Sequence, residues 1–210
     1  MNNSKLRRPR KLKAFTLLEM IVVMAIIGIL ASIIIPSTVD QMRSSRIETA
    51  NVRAEEIYRA AQNYLTDKQI KRTELGTGGK VGILVKSDST GAWDLTCKFG
   101  DTVIDDDADS KEKFKKGISN YIGPTTIESL MGGGFFLCFD ADTYTADYVL
   151  YCEDNTMLDA STGIVKDLTK DNWKAPYTQV FGRPEAGGRS QEYDTNNTDI
   201  RFVGQYPVGK

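Results

Sequence analysis

The chain has 210 residues, with 27 lysines and arginines, 28 aspartates and glutamates, three cysteines and no histidine. This length is typical of one domain with an appendage. Because histidine is absent, Ser-His-Asp and Cys-His catalysis are excluded, as are histidine-ligated zinc and haem. The net charge of −1 argues against a nucleic-acid binder driven by bulk charge.

The charges are unevenly distributed, because residues 1–14 hold six basic side chains and no acidic one. Residues 15–210 are left with 21 basic and 28 acidic side chains, a net charge of −7. The segment 15–35 contains a single charged residue, Glu19. As a helix this segment would be about 32 Å long, enough to cross the hydrocarbon core of a bilayer. The basic flank predicts a cytoplasmic N-terminus and an external C-terminal part.

Three interpretations compete for this apolar segment. A cleaved secretory signal would have a shorter apolar core, followed by a small-x-small cleavage site. A plain single-pass anchor explains everything except Glu19, since a carboxylate in a membrane is costly unless it is paired. Cleavage between Ala14 and Phe15 would supply a partner, because it creates a positively charged amine four residues before Glu19. In a bundle of helices, Glu19 of one copy can instead pair with the terminal amine of the next.

The residues around this junction resemble the class III leader and N-terminal helix of type IV pilins and pseudopilins. The resemblance rests on the run from Lys13 to Met20, KAFTLLEM, and on the aliphatic stretch that ends at Pro36. It implies that a prepilin peptidase cuts after Ala14 and that Phe15 becomes N-methylated. Ala14 departs from the glycine that is usual in the family, but similar KAFTL–EM junctions occur in competence pilins of Gram-positive bacteria.

The same resemblance implies assembly roles for three further residues. Glu19 would set the register of the helices and neutralise charge as a filament forms. Gly28 and Pro36 would bracket a stretch of helix that loosens in the filament, which fits the weak helix propensity of glycine and the backbone bond that proline removes.

Beyond Pro36 the chain becomes more polar but keeps a helical period. An apolar stripe with alternating spacings of three and four runs along one face, formed by Ile47, Ala50, Ala54, Ile57, Ala61 and Tyr64. One helix is therefore expected from Phe15 to about Thr66. The expected organisation is a cleaved basic leader (1–14), a hydrophobic membrane or filament-core helix (15–36), the amphipathic half of the same helix (37–67) and a globular head (68–210).

The head shows mostly strand patterns after a glycine-containing loop at 73–80. Strands are expected at 81–87, 92–99, 135–140 and 147–154, with weaker signals at 102–105, 163–168 and 200–206. Short helices are expected within 107–123 and 125–131, and a long polar loop at 181–197. Together with the resemblance, this pattern predicts an α+β pilin fold, in which a long N-terminal helix packs against a small antiparallel sheet.

The three cysteines would lie outside the membrane, where disulfides persist. Cys138 and Cys152 lie in neighbouring predicted strands, about two positions out of register, so a bond between them is a candidate. Cys97 is an alternative partner for either, and buried free thiols are the other interpretation. A three-cysteine zinc site would need a fourth ligand, and we expect no metal site and no cofactor.

Two further clusters in the head favour structural interpretations. Asp105, Asp106, Asp107 and Asp109 are spaced like the start of a calcium loop, but Ser110 and Lys116 replace its glycine and closing glutamate, so a solvated loop or helix N-terminus is favoured. Most aromatic residues in a small sheet belong to the core, which is the favoured interpretation of Trp93, Trp173, Tyr144, Tyr148, Tyr151 and Tyr177.

The sequence thus favours a structural subunit of a type IV pilus or related filament over an enzyme. Its expected partners are copies of itself or other pilins, a prepilin peptidase, an inner-membrane assembly platform and, before assembly, the lipid bilayer. The subunit would be a single-pass membrane protein with its N-terminus in the cytoplasm, and later part of an extracellular filament. The alternatives are a minor pilin or tip adhesin whose head binds a surface, a glycan or DNA, a secretion-system pseudopilin, and an anchored enzyme.

Overall fold

A computed structural model describes residues 15–102, 108–158, 165, 179–181 and 201–207. Its helices are α1 (Leu17–Ile70), α2 (Ala108–Ser119) and α3 (Pro124–Ser129). Its strands are β1 (Gly76–Ser87), β2 (Trp93–Thr102), β3 (Gly134–Asp140), β4 (Thr145–Cys152), β5 (Gln179–Phe181) and β6 (Arg201–Tyr206). The chain divides into two compact units, Met1–Met42 and Arg43–Lys210.

The six strands form one sheet in the order β2-β1-β3-β4-β6-β5, and every neighbouring pair is antiparallel. The predicted hairpin is confirmed as β3 and β4, which are joined by a tight turn in which Tyr144 adopts a positive φ of 57°. The second half of α1 packs on one face of this sheet. The predicted α+β fold, a long helix with an antiparallel sheet, is therefore confirmed.

The apolar stripe predicted on α1 is the face that meets the sheet. Of its six residues only Ile47 is partly buried, and the other five are buried in the main core together with Ala60 and Leu65. Four of these buried helix residues are alanines, so the backbone of α1 comes close to the sheet. The approach is close at Gly204 of β6, where a Cβ in place of the glycine hydrogen would lie 1.9 Å from the carbonyl oxygen of Ala50.

Polar side chains of α1 also bind the backbone of the head directly. Asn51 Oδ1 accepts a hydrogen bond from the Gln205 amide at 3.0 Å. Farther along the helix, Gln62 Oε1 accepts from the Ala146 amide at 2.8 Å, and Gln62 Nε2 donates to the Tyr144 carbonyl at 3.2 Å. These side chains bind backbone groups in β6, near the start of β4 and in the turn before it.

Glu56 makes a second kind of contact, with the start of α3. Its Oε1 accepts a hydrogen bond from the Gly123 amide at 2.6 Å, and its Oε2 accepts one from the Thr126 hydroxyl. Arg53 Nη1 donates to the same hydroxyl oxygen at 2.6 Å. Gly123 is the N-cap of α3 and Pro124 follows it. The carboxylate therefore takes the place of a capping side chain from α3 itself.

The opposite face of the sheet is buried as well. Its core contains residues of three strands, Leu84, Phe136, Cys138, Tyr148, Leu150 and Cys152. A 3-10 turn at Asn155–Leu158 covers them with Met157 and Leu158, and Val165 adds to the same cluster. The sheet is therefore an internal layer with apolar contacts on both sides.

Two expectations about loops are wrong. The sequence predicts a loop at 73–80. In the structure β1 begins at Gly76, and residues before 81 already pair with β2 and with β3. The glycines at 76, 78 and 79 obscured this strand, because glycine is depleted in strands and typical of loops. The sequence also places Phe181 in a polar loop, whereas in the structure it is the last residue of β5. A strand of three residues is too short to show the alternation of polar and apolar side chains by which strands are predicted. Residues 163, 164, 166–168 and 182–197 lie outside the described residues.

The candidate disulfide between Cys138 and Cys152 is not formed, since all three cysteines are free thiols. In the β3–β4 register Cys138 lies opposite Tyr148, and Cys152 lies opposite Gly134. The two cysteines are thus four residues out of register, which corresponds to about 13 Å along a strand and is far beyond disulfide reach. Cys97 packs against the core on the helix side of the sheet, whereas Cys138 and Cys152 belong to the core on the other side.

These positions predict unequal thiol reactivity. Burial raises the pKa of the Cys138 thiol to about 12 and also raises the pKa of Cys152, so both stay protonated and unreactive near about pH 8. Brief treatment of the native chain with iodoacetamide should modify the half-buried Cys97 first, as measured by peptide mass spectrometry. Unfolding in denaturant without reductant should expose all three thiols, and a Cys138–Cys152 cross-linked peptide would contradict this arrangement.

The Glu56 contact predicts a specific loss of stability. Glu56→Ala should lower the free energy of unfolding by about 1–3 kcal/mol, because the Gly123 amide and the Thr126 hydroxyl lose their acceptor. Glu55→Ala is the matched control: Glu55 makes an exposed ion pair with Arg59 at 2.6 Å, and its loss should cost at most about 0.5 kcal/mol. Denaturant titration monitored by tryptophan fluorescence measures both. Equal losses would show that Glu56 does not hold α3.

Candidate assembly site on the N-terminal helix

The first part of α1 is apolar on all sides. Every large apolar side chain from Phe15 to Ile35 is exposed in the single chain, and the segment Leu17–Ile35 is long and apolar enough to span a membrane. Its 19 residues would rise about 29 Å, close to the thickness of a bilayer core. A helix that is apolar all round needs lipid or other helices around it, because no single face can be turned to water.

The only charged residue of this segment closes a capping box at the start of α1. Thr16 precedes the helix, and Glu19 accepts hydrogen bonds at Oε2 from the Thr16 amide at 2.8 Å and from the Thr16 hydroxyl at 3.0 Å. The Glu19 amide donates in return to Thr16 Oγ1 at 3.2 Å. This reciprocal Thr-x-x-Glu pattern satisfies free amides of the first turn. The Thr-x-x-Glu spacing of residues 16–19 carries this signal in the sequence.

The capping box fixes where the charge of Glu19 lies. The carboxylate is held beside the amide of Thr16, one residue from Phe15, whose side chain is 82% exposed. Both bonds from Thr16 reach Oε2, and within the described part of the chain Oε1 accepts no hydrogen bond. Since a carboxylate can accept about four hydrogen bonds, Oε1 remains open to a further donor near the helix start.

Gly28 and Pro36 both lie inside α1, which is continuous through them. A Cβ at Gly28 would meet no atom within 4 Å, so packing within one chain does not require a glycine there. Proline has no amide hydrogen, so the Ser32 carbonyl loses its usual partner four residues on. The hydroxyl of Ser32 donates to the Ile29 carbonyl at 2.7 Å. The loosening of this stretch in a filament remains a prediction.

Most of the remaining predicted site residues lie outside the described part of the chain, and Asp109 lies within it. Ala14 and Asp105–Asp107 lie outside the described residues. Asp109 lies in the first turn of α2, where its carboxylate binds the Lys113 ammonium. Within the described ranges, no group of three potential metal-ligating side chains lies close enough to hold an ion.

The aromatic residues in the described part of the head are mostly packed. Trp93 meets Phe135 edge-on with ring centroids 5.6 Å apart. Tyr148 and Tyr151 are buried in the strands, and Tyr144 is half-buried, with its hydroxyl donating to a backbone carbonyl. Trp173 and Tyr177 lie outside the described residues. The packed positions match the expectation that most of these aromatic residues belong to the core.

Residues 9–35 match the family model of the prokaryotic N-terminal methylation motif. No curated protein and no solved structure matches the chain. The matched segment covers the end of the basic leader, the Ala14–Phe15 junction, the capping box and the membrane-length helix. Residues 9–35 therefore carry a prokaryotic N-terminal methylation motif, and this segment is similar to the class III prepilin leader and apolar N-terminal helix of type IV pilins.

Proposed function

We propose that this chain is a structural subunit of a type IV pilus or related type IV filament, assembled through α1 after cleavage between Ala14 and Phe15. One observation carries the proposal. The membrane-length part of α1 is apolar all round and holds a single carboxylate, which a capping box keeps at the helix start. A plain anchor needs no such carboxylate, since its burial in lipid is costly.

The proposed mechanism follows from that position. The basic leader keeps the N-terminus in the cytoplasm until the peptidase removes it and frees the amine of Phe15. Before assembly, Thr16 partly satisfies the Glu19 carboxylate within its own chain. When helices leave the bilayer and pack together, Glu19 Oε1 accepts from the Phe15 amine of a neighbouring copy, which neutralises both charges in the filament core.

The head would then lie on the outside of the filament, reached from the membrane through an assembly platform. Minor pilins, tip adhesins and pseudopilins share the same N-terminal chemistry, so copy number separates them from the main subunit. We propose that the chain is present in many copies along sheared filaments. Quantitative mass spectrometry of those filaments measures this, and a few copies per filament would assign the chain to a minor or tip position.

The processing step predicts a defined mature N-terminus. Mass spectrometry of the chain isolated from cells should find a peptide that begins with N-methylated Phe15. Ala14→Gly should leave this product unchanged, because glycine is also small. An intact Met1 on the native chain would leave only the membrane-anchor interpretation.

The charge pairing predicts that cleavage and assembly can be separated. In Glu19→Ala the leader should still be removed, but sheared filament should fall by about ten-fold or more, since a lost pair of about 1.4 kcal/mol per contact already shifts an equilibrium ten-fold. Glu48→Ala is the control, because Glu48 is an exposed residue of α1 beyond the apolar segment. Normal filament yield from Glu19→Ala would contradict the proposed role of Glu19.

A further inference from the structure

The head carries two exposed surfaces of opposite charge. The first is a groove where the C-terminal ends of α1 and α2 meet, and its lining includes Lys68 of α1 and Lys116 of α2. Tyr121, which is 47% exposed, belongs to the same lining. We call this surface the basic groove.

Two lysines give the basic groove its surplus of positive charge. Within the described part of the chain, Lys68 and Lys116 form no ion pair. The two other lysines of the lining are compensated by aspartates, in the ion pairs Lys71–Asp67 and Lys113–Asp109. The remaining residues of the lining are uncharged, so the groove is left with two net positive charges.

Close packing of the two helices brings these lysines together. A Cβ at Gly117 of α2 would lie 2.4 Å from the ring of Tyr64 on α1, so only glycine allows this approach. Glycine is a weaker helix former than alanine, and the close helix contact accounts for its presence inside α2. The distance between the two lysine-bearing helices is therefore fixed by the fold.

The second surface lies where β1 ends, β3 begins and β4 ends, and it is acidic. Its exposed residues are Asp88, Glu128, Met131 and Glu153. Backbone contacts hold them together: the Met131 amide donates to the Glu128 carbonyl at 3.1 Å, and the Gly132 amide donates to the Asp88 carbonyl at 3.1 Å. A Cβ at Gly133 would lie 3.0 Å from the carbonyl carbon of Glu153. We call this surface the acidic surface.

The charges of the two surfaces match in number. Burial raises the pKa of Glu153, and the nearby Arg46 counteracts that shift, so Arg46 offsets one of the three negative charges. A hydrogen bond from the Thr90 hydroxyl lowers the pKa of Asp88, which stays ionised. Together with Glu128 this leaves two net negative charges, against two positive charges in the basic groove.

The two surfaces are far apart along α1. Gly204 contacts Ala50 and pairs with Tyr151, whose hydroxyl donates to the Ser129 carbonyl at 3.0 Å. The end of α3, which belongs to the acidic surface, therefore lies at the level of Ala50. Lys68 is 18 residues farther along the helix, a rise of about 27 Å. The basic groove of one head therefore cannot reach the acidic surface of the same head.

The surfaces also match in their apolar parts. Each offers one large apolar side chain beside its charges, Tyr121 in the basic groove and Met131, which is 50% exposed, in the acidic surface. Contacts between a thioether and an aromatic ring are favourable, and opposite charges around them select the partner and its orientation. Two different complementary patches on one molecule form head-to-tail contacts, which continue into an open filament unless a ring closes.

From this match we propose that the basic groove of one copy receives the acidic surface of the next copy, so that neighbouring heads bind head to tail. Tyr121 then packs against Met131, and the lysines face the carboxylates. The inference rests on the proposed function, because it requires copies of the chain in a filament. It adds which parts of the heads meet there.

The test combines charge reversal with co-expression of full-length chains, and it measures the yield of sheared filament. The groove variant Lys68→Glu/Lys116→Glu makes the basic groove negative. The acidic-surface variant Glu128→Lys/Glu153→Lys makes the other surface positive. The matched control is Glu112→Lys/Asp142→Lys, which reverses two exposed acidic side chains outside both surfaces.

Each surface variant expressed alone brings like charges face to face, so its yield of sheared filament should fall about ten-fold or more. The control should stay within about two-fold of the unaltered chain, since isolated surface charges contribute little. Co-expression of the two surface variants should restore the yield, because each then offers the surface that the other needs. Such a recovery also shows that both variants are folded.

Full yield from either surface variant alone would overturn the proposed contact and assign the surface to a different partner. A mixture that forms no more filament than the single variants would overturn it as well, as would an equal loss in the control. An unaltered chain that forms no filament would instead contradict the proposed function itself.

Discussion

The structure depends on one helix that meets two different environments. From Leu17 to Ile35 all sides of α1 are apolar and exposed in the single chain, whereas from Ala50 onward only one stripe is apolar and that stripe is buried under the sheet. The backbone period is the same in both parts, so the difference lies entirely in how many faces carry apolar side chains. The first part has to find its partners outside the chain, and the second part finds them in its own head.

The head is held to the second part by a combination of small and polar side chains. Alanines bring the backbone of α1 close enough for Gly204 to contact it, and the polar groups of Asn51, Glu56 and Gln62 bind backbone amides of the head. Leucines at the alanine positions would have buried more apolar area, but they would have kept these polar groups out of reach. The position of the sheet on the helix is thus set by hydrogen bonds as well as by packing.

The parts that the sequence predicted well are those with a regular period. The stripe on α1 and the hairpin of β3 and β4 follow from side-chain periodicity alone. The candidate disulfide is not formed because a shift of two residues in strand register decides whether Cys138 and Cys152 can meet. The sequence does not locate the turn at Tyr144 accurately enough to fix that register. The glycines at the start of β1 indicate a loop by sequence, because glycine is uncommon within strands and frequent in turns.

The candidate functional residues likewise divide into those that a sequence pattern reveals and those that only the fold brings together. Glu19 could be found because its charge stands alone in an apolar run, and its partner Thr16 was available from the Thr-x-x-Glu spacing. The lysines that lie where the C-terminal ends of α1 and α2 meet could not be grouped in this way, because Lys68 and Lys116 are far apart in the chain and line the same groove only through the contact between Gly117 and Tyr64. A net charge counted over the whole chain does not show such a local cluster.

The polar contacts along α1 also have a mechanical consequence. Asn51, Glu56 and Gln62 are spread over 12 residues of helix, and the 11 steps from the first to the last rise about 17 Å. A force directed along the helix axis would pull on these contacts in shear, so they would share the tension instead of opening one after another. Detaching the head from its helix would therefore require several hydrogen bonds and the alanine-lined contact to break together, a property that would suit the filament subunit proposed above.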